Sequence, residues 1–353
     1  MIKSLVIFTL CGVLIALMLH YTTSPKFINP SSPQVIRQIL PKGWPEDGIH
    51  IFPEARRSPW INAINSAKKS IKLAAYKLSD QEIVDALCAA AERNVTVDIL
   101  TEANFFTHEK SNNIILPALI LKEAGAHLFH ISDRFNQTHY KLILIDDTWG
   151  MLSTGNLDSE SFDGIKTISE APCRDFAITI TNPALFKELE RIFEADILDK
   201  RITPEHDQIA LGPDNQRAVF LKMINSAKKS IRVYQQDLQD EGITKALAGA
   251  AQDSVKVEVI MMPYPFSKDK DNNIPDQEYI RSKGGKVHLH KRHYIHAKVL
   301  LVDAEDPENR ILYIGSCNFY PASLDKNREM GILTKDPKHI EKILKTFEED
   351  LLN

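Results

Sequence analysis

Cysteine is scarce in this chain: four residues in 353, Cys11, Cys88, Cys173 and Cys317. That is too few for a disulfide framework, and the three beyond the N-terminal run leave room for at most one bridge. Cys88, in the alanine-rich helical pattern DALCAAAERN, reads as a core residue, and Cys173 and Cys317 are expected not to pair. Surplus positive charge is also missing. Lys and Arg number 43 against 47 Asp and Glu, a net charge of -4. No global basic field therefore draws the chain to nucleic acid, although a local patch stays open. Long apolar runs are absent but for Leu5 to Leu19 (LVIFTLCGVLIALML). That run is shorter than the roughly 20 residues a membrane span needs. No A-x-A cleavage site follows it, and Leu10 before Cys11 is not the small residue of a lipoprotein signal. Residues 1–24 are expected to be an export signal or a retained membrane anchor, so that the protein is exported or membrane-anchored. The alternative is a buried N-terminal helix. Residues 25–48 carry Pro25, Pro30, Pro33, Pro41 and Pro45 and read as a tether.

What the chain does have is a repetition. INSAKKSI occurs at Ile64–Ile71 and again at Ile224–Ile231. Under the same shift Pro53 falls on Pro213, Arg57 on Arg217, Trp60 on Phe220 and Gly125 on Gly285. Solenoid units are about 20 to 50 residues, so so long a period means a duplicated domain. The expected halves are 49–203 and 204–353. Each alternates helix and strand, an α/β pattern with a largely buried sheet. The spacing predicts a helix from Ser58-Pro59 to Lys69, its lysines in the last turn. It also predicts a helix capped by Asp80 and another from Pro183. The octapeptide reads as scaffold; a phosphate-binding role for its lysines rests on charge alone.

Near the end of each half stands H-x-K-x-x-x-x-D: His139, Lys141 and Asp146, then His296, Lys298 and Asp303. His and Lys two apart on a strand share a face, while the Asp lies on the other face or in the turn. Two such half-sites brought together offer two imidazoles and two ammoniums, a set suited to a phosphodiester. Each motif leads to a small polar turn, Ser153-Thr154-Gly155-Asn156 and Gly315-Ser316-Cys317-Asn318. An acidic residue then precedes an apolar strand: Asp175 after Arg174, Glu329 after Arg328.

HxKxxxxD, then GSxN, then an acid, all present twice, resembles the phospholipase D superfamily over about residues 49 to 353. The second copy (HAKVLLVD, IGSCN, SLDKNREMGI) is the closer. The resemblance implies an α/β fold of two α/β/α sandwich halves with pseudo-twofold symmetry and the active site between them. It implies metal-independent chemistry with no cofactor. His139 would be the nucleophile that becomes a phosphohistidine, and His296 the general acid and base. Lys141, Lys298, Asn156 and Asn318, with the hydroxyls of Thr154 and Ser316, would hold the phosphate. Asp175 and Glu329 would orient the histidines, and Asp146 and Asp303 would be structural. One departure is Ser153 where glycine is usual, which threatens to crowd that turn. The other histidines, His290 among them, read as packing or surface residues. His293 is a weaker candidate for the site entrance.

Substrate is less legible. A phospholipase D or phosphatidyltransferase acting on phospholipid head groups at a membrane surface is the leading reading. Phe105, Phe106, Tyr264 and Phe266 in two equivalent loops are candidates for admitting acyl chains, or for simple loop packing. A nuclease is the alternative, its phosphate-tracking edge being Arg281, Lys283, Lys286, Lys291, Arg292 and Lys298. A non-catalytic membrane-bound interaction protein is the third. A monomer suffices chemically, because both half-sites lie in one chain.

Overall fold

A computed structural model describes residues 48–102, 115–164 and 170–353. The expected leader (1–24), all of the expected tether but Gly48, and Phe105 and Phe106 lie outside the described residues. The first sheet contains β1 (Ile49–Phe52), β2 (Ser70–Ala75), β3 (Thr96–Thr101), β4 (His127–His130), β5 (Lys141–Ile145), β6 (Trp149–Ser153) and β7 (Cys173–Ile180). Their order is β1-β7-β6-β5-β2-β3-β4. The second contains β8 (Ile209–Leu211), β9 (Ser230–Tyr234), β10 (Lys256–Met261), β11 (Lys286–Leu289), β13 (Val299–Val302), β14 (Ile311–Gly315) and β15 (Met330–Thr334). Read from its β8 edge the order is β8-β15-β14-β13-β9-β10-β11. Strand for strand this is the topology of the first sheet, so the fold is a duplicated α/β fold.

The sheets are buried on both faces, and period-two alternation shows what covers each. Along β5, Leu142 and Leu144 join a central core shared by the two halves, while Ile143 and Ile145 join an outer core of the first half. That outer core is closed by α1 (Ser58–Ser66) and α2 (Gln81–Glu92), through Trp60, Ile64, Ile83 and Leu87. α6 (Gln216–Ser226) and α7 (Glu241–Gln252) do the same for the second half, through Phe220, Ile224, Ile243 and Leu247. Between the sheets lie α5 (Pro183–Ile197) and the C-terminal α10 (Pro337–Leu351), which give Leu189, Phe193, Ile343 and Phe347 to the shared core. The remaining helices are α3 (Ile115–Glu123), α4 (Ser159–Asp163), α8 (Ile274–Ser282) and α9 (Pro321–Asp325).

The repeated octapeptide is explained by a contact the sequence reading did not foresee. α1 ends at Ser66, not at Lys69, and α6 ends at Ser226, so the lysines lie beyond the last turn. The backbone N–H groups of Lys68, Lys69 and Ser70 donate to the carboxylate of Asp146 at 2.7–3.1 Å. Those of Lys228, Lys229 and Ser230 donate to Asp303 at 2.7–3.1 Å. Each HxKxxxxD aspartate thus holds the helix-to-strand turn of its own half. The backbone it captures is withdrawn from the helix, which is why the helix stops short. Ser58 is not the cap either: Arg57 is, with no side-chain cap bond. Arg57 instead reaches Asp80 at 2.7 Å and Asp163 at 2.6 Å, as Arg217 reaches Asp240 at 2.8 Å and Asp325 at 2.6 Å.

The halves exchange backbone where it matters for the site. β12 (Tyr294–Ile295), just before His296, pairs in parallel with Cys173 and Arg174 of the first sheet. Reciprocally, Thr138, just before His139, bridges to Arg328 of the second half. Two buried arginines lock these crossings. Arg174 donates to Asp350 of α10 (2.8 and 3.0 Å), and Arg328 to Asp196 of α5 (2.9 Å).

Candidate active site

The crossings set each histidine against the carboxylate that belongs to the other half. His139 Nδ1 is 2.9 Å from both carboxylate oxygens of Glu329, and His296 Nδ1 is 3.1 Å from both of Asp175. A carboxylate on Nδ1 makes that atom the N–H donor and leaves the Nε2 lone pair of a neutral ring free. Both histidines line a single cavity of about 650 Å³ between the halves, with Asn156 and Asn318 on the same wall. The carboxamide oxygens of both asparagines are buried without a partner. Since buried polar atoms are nearly always paired, this marks a place where a ligand's polar atoms complete the site.

The carboxylates and hydroxyls stand behind this wall. Thr154 Oγ1 donates to Asp175 at 2.5 Å, and Ser316 Oγ donates to Glu329. These hydroxyls therefore position the carboxylates and do not face the cavity. Glu329 also receives Ser323 Oγ at 2.7 Å and Asn327 Nδ2 at 3.4 Å, two partners the sequence reading missed. Lys141 and Lys298 have no exposed surface. Each ammonium donates to the backbone carbonyl of its own histidine, His139 or His296. Neither lies on the cavity wall; from beneath, they supply positive potential and fix the histidine peptides.

Crossed pairing and burial set the electrostatics. Burial pushes His139 down to about 4, against the pull of Glu329, and burial with the Lys298 charge lowers His296. Burial and the mutual repulsion of the lysines bring Lys141 down to about 7; burial brings Lys298 to about 8. Burial would raise both carboxylates, but the histidine each faces and the lysines hold Asp175 and Glu329 below the ordinary carboxylate range. The free site is thus two neutral imidazoles backed by two carboxylates and two uncomfortable ammoniums, which an anion between the halves would relieve.

The turn in the first half differs from the family pattern without being crowded. Ser153 Oγ accepts from the Gly155 N–H at 3.0 Å, so the side chain closes the turn. The glycine has moved to 155, where a Cβ would come within 2.7 Å of the Asp175 carboxylate. In the second half Gly315 is required because Tyr313 fills the space: a Cβ there would lie 2.3 Å from its hydroxyl. Tyr76 was also missed; its ring meets His139 edge-on at 5.1 Å. The cue was available, because Tyr76 and Lys77 fall on Gln236 and Asp237 under the repeat shift, and all four line the cavity.

Other expected residues lie elsewhere. Arg281, Lys283, Lys286, Lys291 and Arg292 are not on the cavity wall. Among the described residues the wall carries one lysine, Lys77, against Asp158, Glu160 and Asp237. His293 does not line the entrance; it is buried and stacked on His290 with ring centroids 5.6 Å apart. Phe266 does line the cavity, and Tyr264 is exposed beside it in sequence. Cys88, Cys173 and Cys317 are free thiols.

A family profile described as cardiolipin synthase, PLD-like domain, matches residues 60–197 and 220–351. A cardiolipin synthase of Listeria innocua is 26% identical over 333 residues, covering 83% of this chain and 66% of that protein. The chain thus spans just under two-thirds of that relative's length. The structure of polyphosphate kinase from Porphyromonas gingivalis superposes with a TM-score of 0.66 at 18% identity, over 94% of this chain and 51% of that one. Phosphatidylserine synthase from Haemophilus influenzae superposes with a TM-score of 0.66 at 14% identity, over 87% and 86%. These two share the fold. The comparisons also correct the expected location. Most of the relatives matched along the chain are cardiolipin synthases, and export is not shown. Among the described residues no helix is long and apolar enough to cross a membrane. Neither export nor anchoring through residues 1–24, which lie outside the described residues, is retained. With both halves matched by the same profile and both half-sites complete, the chain belongs to the cardiolipin synthase, PLD-like domain family of the phospholipase D superfamily.

Proposed function

We propose that the chain is a phosphatidyltransferase that exchanges the alcohol of a phospholipid phosphodiester through a phosphohistidine. The observation that carries this reading is the pair of histidines on one cavity wall, each backed at Nδ1 by a carboxylate from the opposite half. As the anionic phosphodiester enters, His296 takes up a proton from solvent at Nε2; His139 Nε2 then attacks phosphorus, the bond from phosphorus to the leaving alcohol breaks, and His296 delivers that proton to the alcohol. In the second step the acceptor's hydroxyl proton passes to His296 as its oxygen bonds to phosphorus and His139 leaves. Glu329 steadies the charge that His139 acquires, and Asp175 that of His296. The anionic phosphorus centre meets the Lys141 and Lys298 potential and the carboxamides of Asn156 and Asn318.

The wall chemistry favours a lipid over a nucleic acid. Three carboxylates and one lysine suit a substrate with one phosphate and a hydroxylated or cationic alcohol, and they repel a polyanion. The relationship to cardiolipin synthase supports transfer to a lipid alcohol as the second half-reaction. The test is the full chain with phosphatidylglycerol vesicles, phosphatidylcholine vesicles and single-stranded DNA, each with and without chelator, beside His139→Ala. Head-group release or a new diphosphatidyl product, lost in the variant, is expected. DNA cleavage without lipid turnover would replace this reading with a nuclease. Inertness on all three would favour a non-catalytic binding protein.

A further inference from the structure

We propose that His290, His293 and Asp350 form a binding site for a divalent transition metal, zinc being the best fit, which pins the segment entering His296 to the C-terminal helix. The three ligand atoms lie within 4.8 Å of one another, and all three residues are more than nine-tenths buried. Neither histidine lines the catalytic cavity, so this site is separate from the histidine pair that does.

Unpartnered atoms carry the argument. His290 Nε2 and both ring nitrogens of His293 are buried without a hydrogen-bond partner. Three such atoms in one cluster are exceptional in a folded interior and demand a ligand. The tautomer of His290 is already set. Its Nδ1–H donates to the backbone carbonyl of Asp350 at 3.1 Å, which leaves the Nε2 lone pair for a metal. That is the usual arrangement of a metal-bound histidine, the other ring N–H being tied to a carbonyl. Asp350 is oriented in the same manner. Arg174 donates twice and the Tyr234 hydroxyl once, at 2.8–3.0 Å. A carboxylate has about four lone-pair sites, so about one remains open.

Charge allows the cation in. The single positive charge of Arg174 is met by two carboxylates, Asp350 and Glu54. The set of three is therefore net negative before a metal arrives. Two imidazoles and a carboxylate make an N₂O donor set, which suits zinc with a water as fourth ligand. Tetrahedral zinc spaces its nitrogen and oxygen ligands about 3.3 Å apart, so the cluster has to close by about 1.5 Å at most, within the reach of side-chain rotation. The pseudo-symmetric position shows why, among the described residues, the site occurs in one half. Arg328, the equivalent of Arg174, is covered by the ring of Phe135 at 5.0 Å and not by imidazoles.

The test uses the untagged full chain, stripped with chelator and dialysed against zinc alone in molar excess. Retained zinc is counted by elemental analysis, and thermal unfolding is followed with and without zinc. Cobalt(II) in place of zinc reads the geometry through its visible absorption. We expect one zinc per chain, a rise in Tm with zinc, and strong visible bands of four-coordinate cobalt. His293→Gln removes no protein hydrogen bond and should fold. It and His290→Gln should weaken zinc binding beyond the 10- to 100-fold typical of losing an outer-sphere partner and abolish the Tm shift. No retained zinc in the wild type, or zinc retained equally in both variants, would overturn the proposal. Should either variant fail to fold, the wild-type cobalt spectrum decides: bands of a six-coordinate aqua ion would overturn it.

Discussion

Replacing Glu329 by glutamine tests the crossed pairing with the least change in shape. Glu329 is fully buried and receives His139 Nδ1–H at 2.9 Å, together with the Ser316 and Ser323 hydroxyls. Glutamine keeps the volume; the two hydroxyls bond different carboxylate oxygens, so its single oxygen accepts one of them and its NH₂ donates to the other, and the fold should survive. It cannot offset the positive charge that His139 gains when phosphorylated, and its NH₂ faces Nδ1 and favours the wrong tautomer. For charge centres about 4 Å apart at an effective dielectric constant of 20, the lost attraction is about 4 kcal/mol. At about 1.4 kcal/mol per decade this is about a 10³-fold fall in rate. A second effect has the same sign. Glu329 helps hold up the Lys141 ammonium, already down to about 7, so its loss turns that lysine neutral near pH 7. The assay is head-group release from phospholipid vesicles under single-turnover conditions, with unfolding curves as the folding control. A well-folded Glu329→Gln variant within threefold of wild type would refute the reasoning.

Three further outcomes are expected. Asp303→Ala removes the acceptor of three backbone N–H groups and should cost about 3 kcal/mol in denaturant unfolding, with rate per folded molecule little changed, because Asp303 is absent from the cavity wall. Gly315→Ala should cost about 1–3 kcal/mol through overpacking against Tyr313 and Gly331, read as a lower denaturant midpoint. Burial holds His139 at about 4 in the fold, against about 6.5 unfolded, so its contribution is complete above pH 6.5 and is lost as pH falls through 4. This is worth up to about 3 kcal/mol at 1.36 kcal/mol per pKa unit, and His139→Gln should show a shallower fall of stability over that window.

Much of the architecture was legible because the chain states it twice. The HxKxxxxD motif, present once in each half, located both half-sites and implied their meeting, and the repeat shift placed Arg57 and Arg217 on the same helix-capping ion pairs in each half. Alternation along KLILI shows a strand, but not which face meets the other half; that depends on α5 and α10 lying between the sheets. The partnership of Asp146 with Lys68–Ser70 spans more than 70 residues and leaves no periodic trace. Thr154 and Ser316 were expected on phosphate, since a hydroxyl beside an asparagine looks like a ligand; the turn instead aims them at the carboxylates behind. Lys141 and Lys298 were expected to hold the phosphate, and their donation to the carbonyls of His139 and His296 draws them beneath the cavity wall. His290 reads as a packing or surface residue and His293 as a weaker candidate for the site entrance, because Asp350, which completes their cluster, is 57 or more residues away.

The central claim is that His139 carries the phosphatidyl group. The direct measurement is a rapid quench with phospholipid labelled with ³²P at the phosphodiester, followed by mapping of protein-bound label. The account predicts an acid-labile, base-stable phosphoramidate on His139, absent in His139→Ala and accumulating in His296→Ala when an activated leaving group removes the need for the acid. Label on His296 in the wild type, or turnover in His139→Ala, would contradict it.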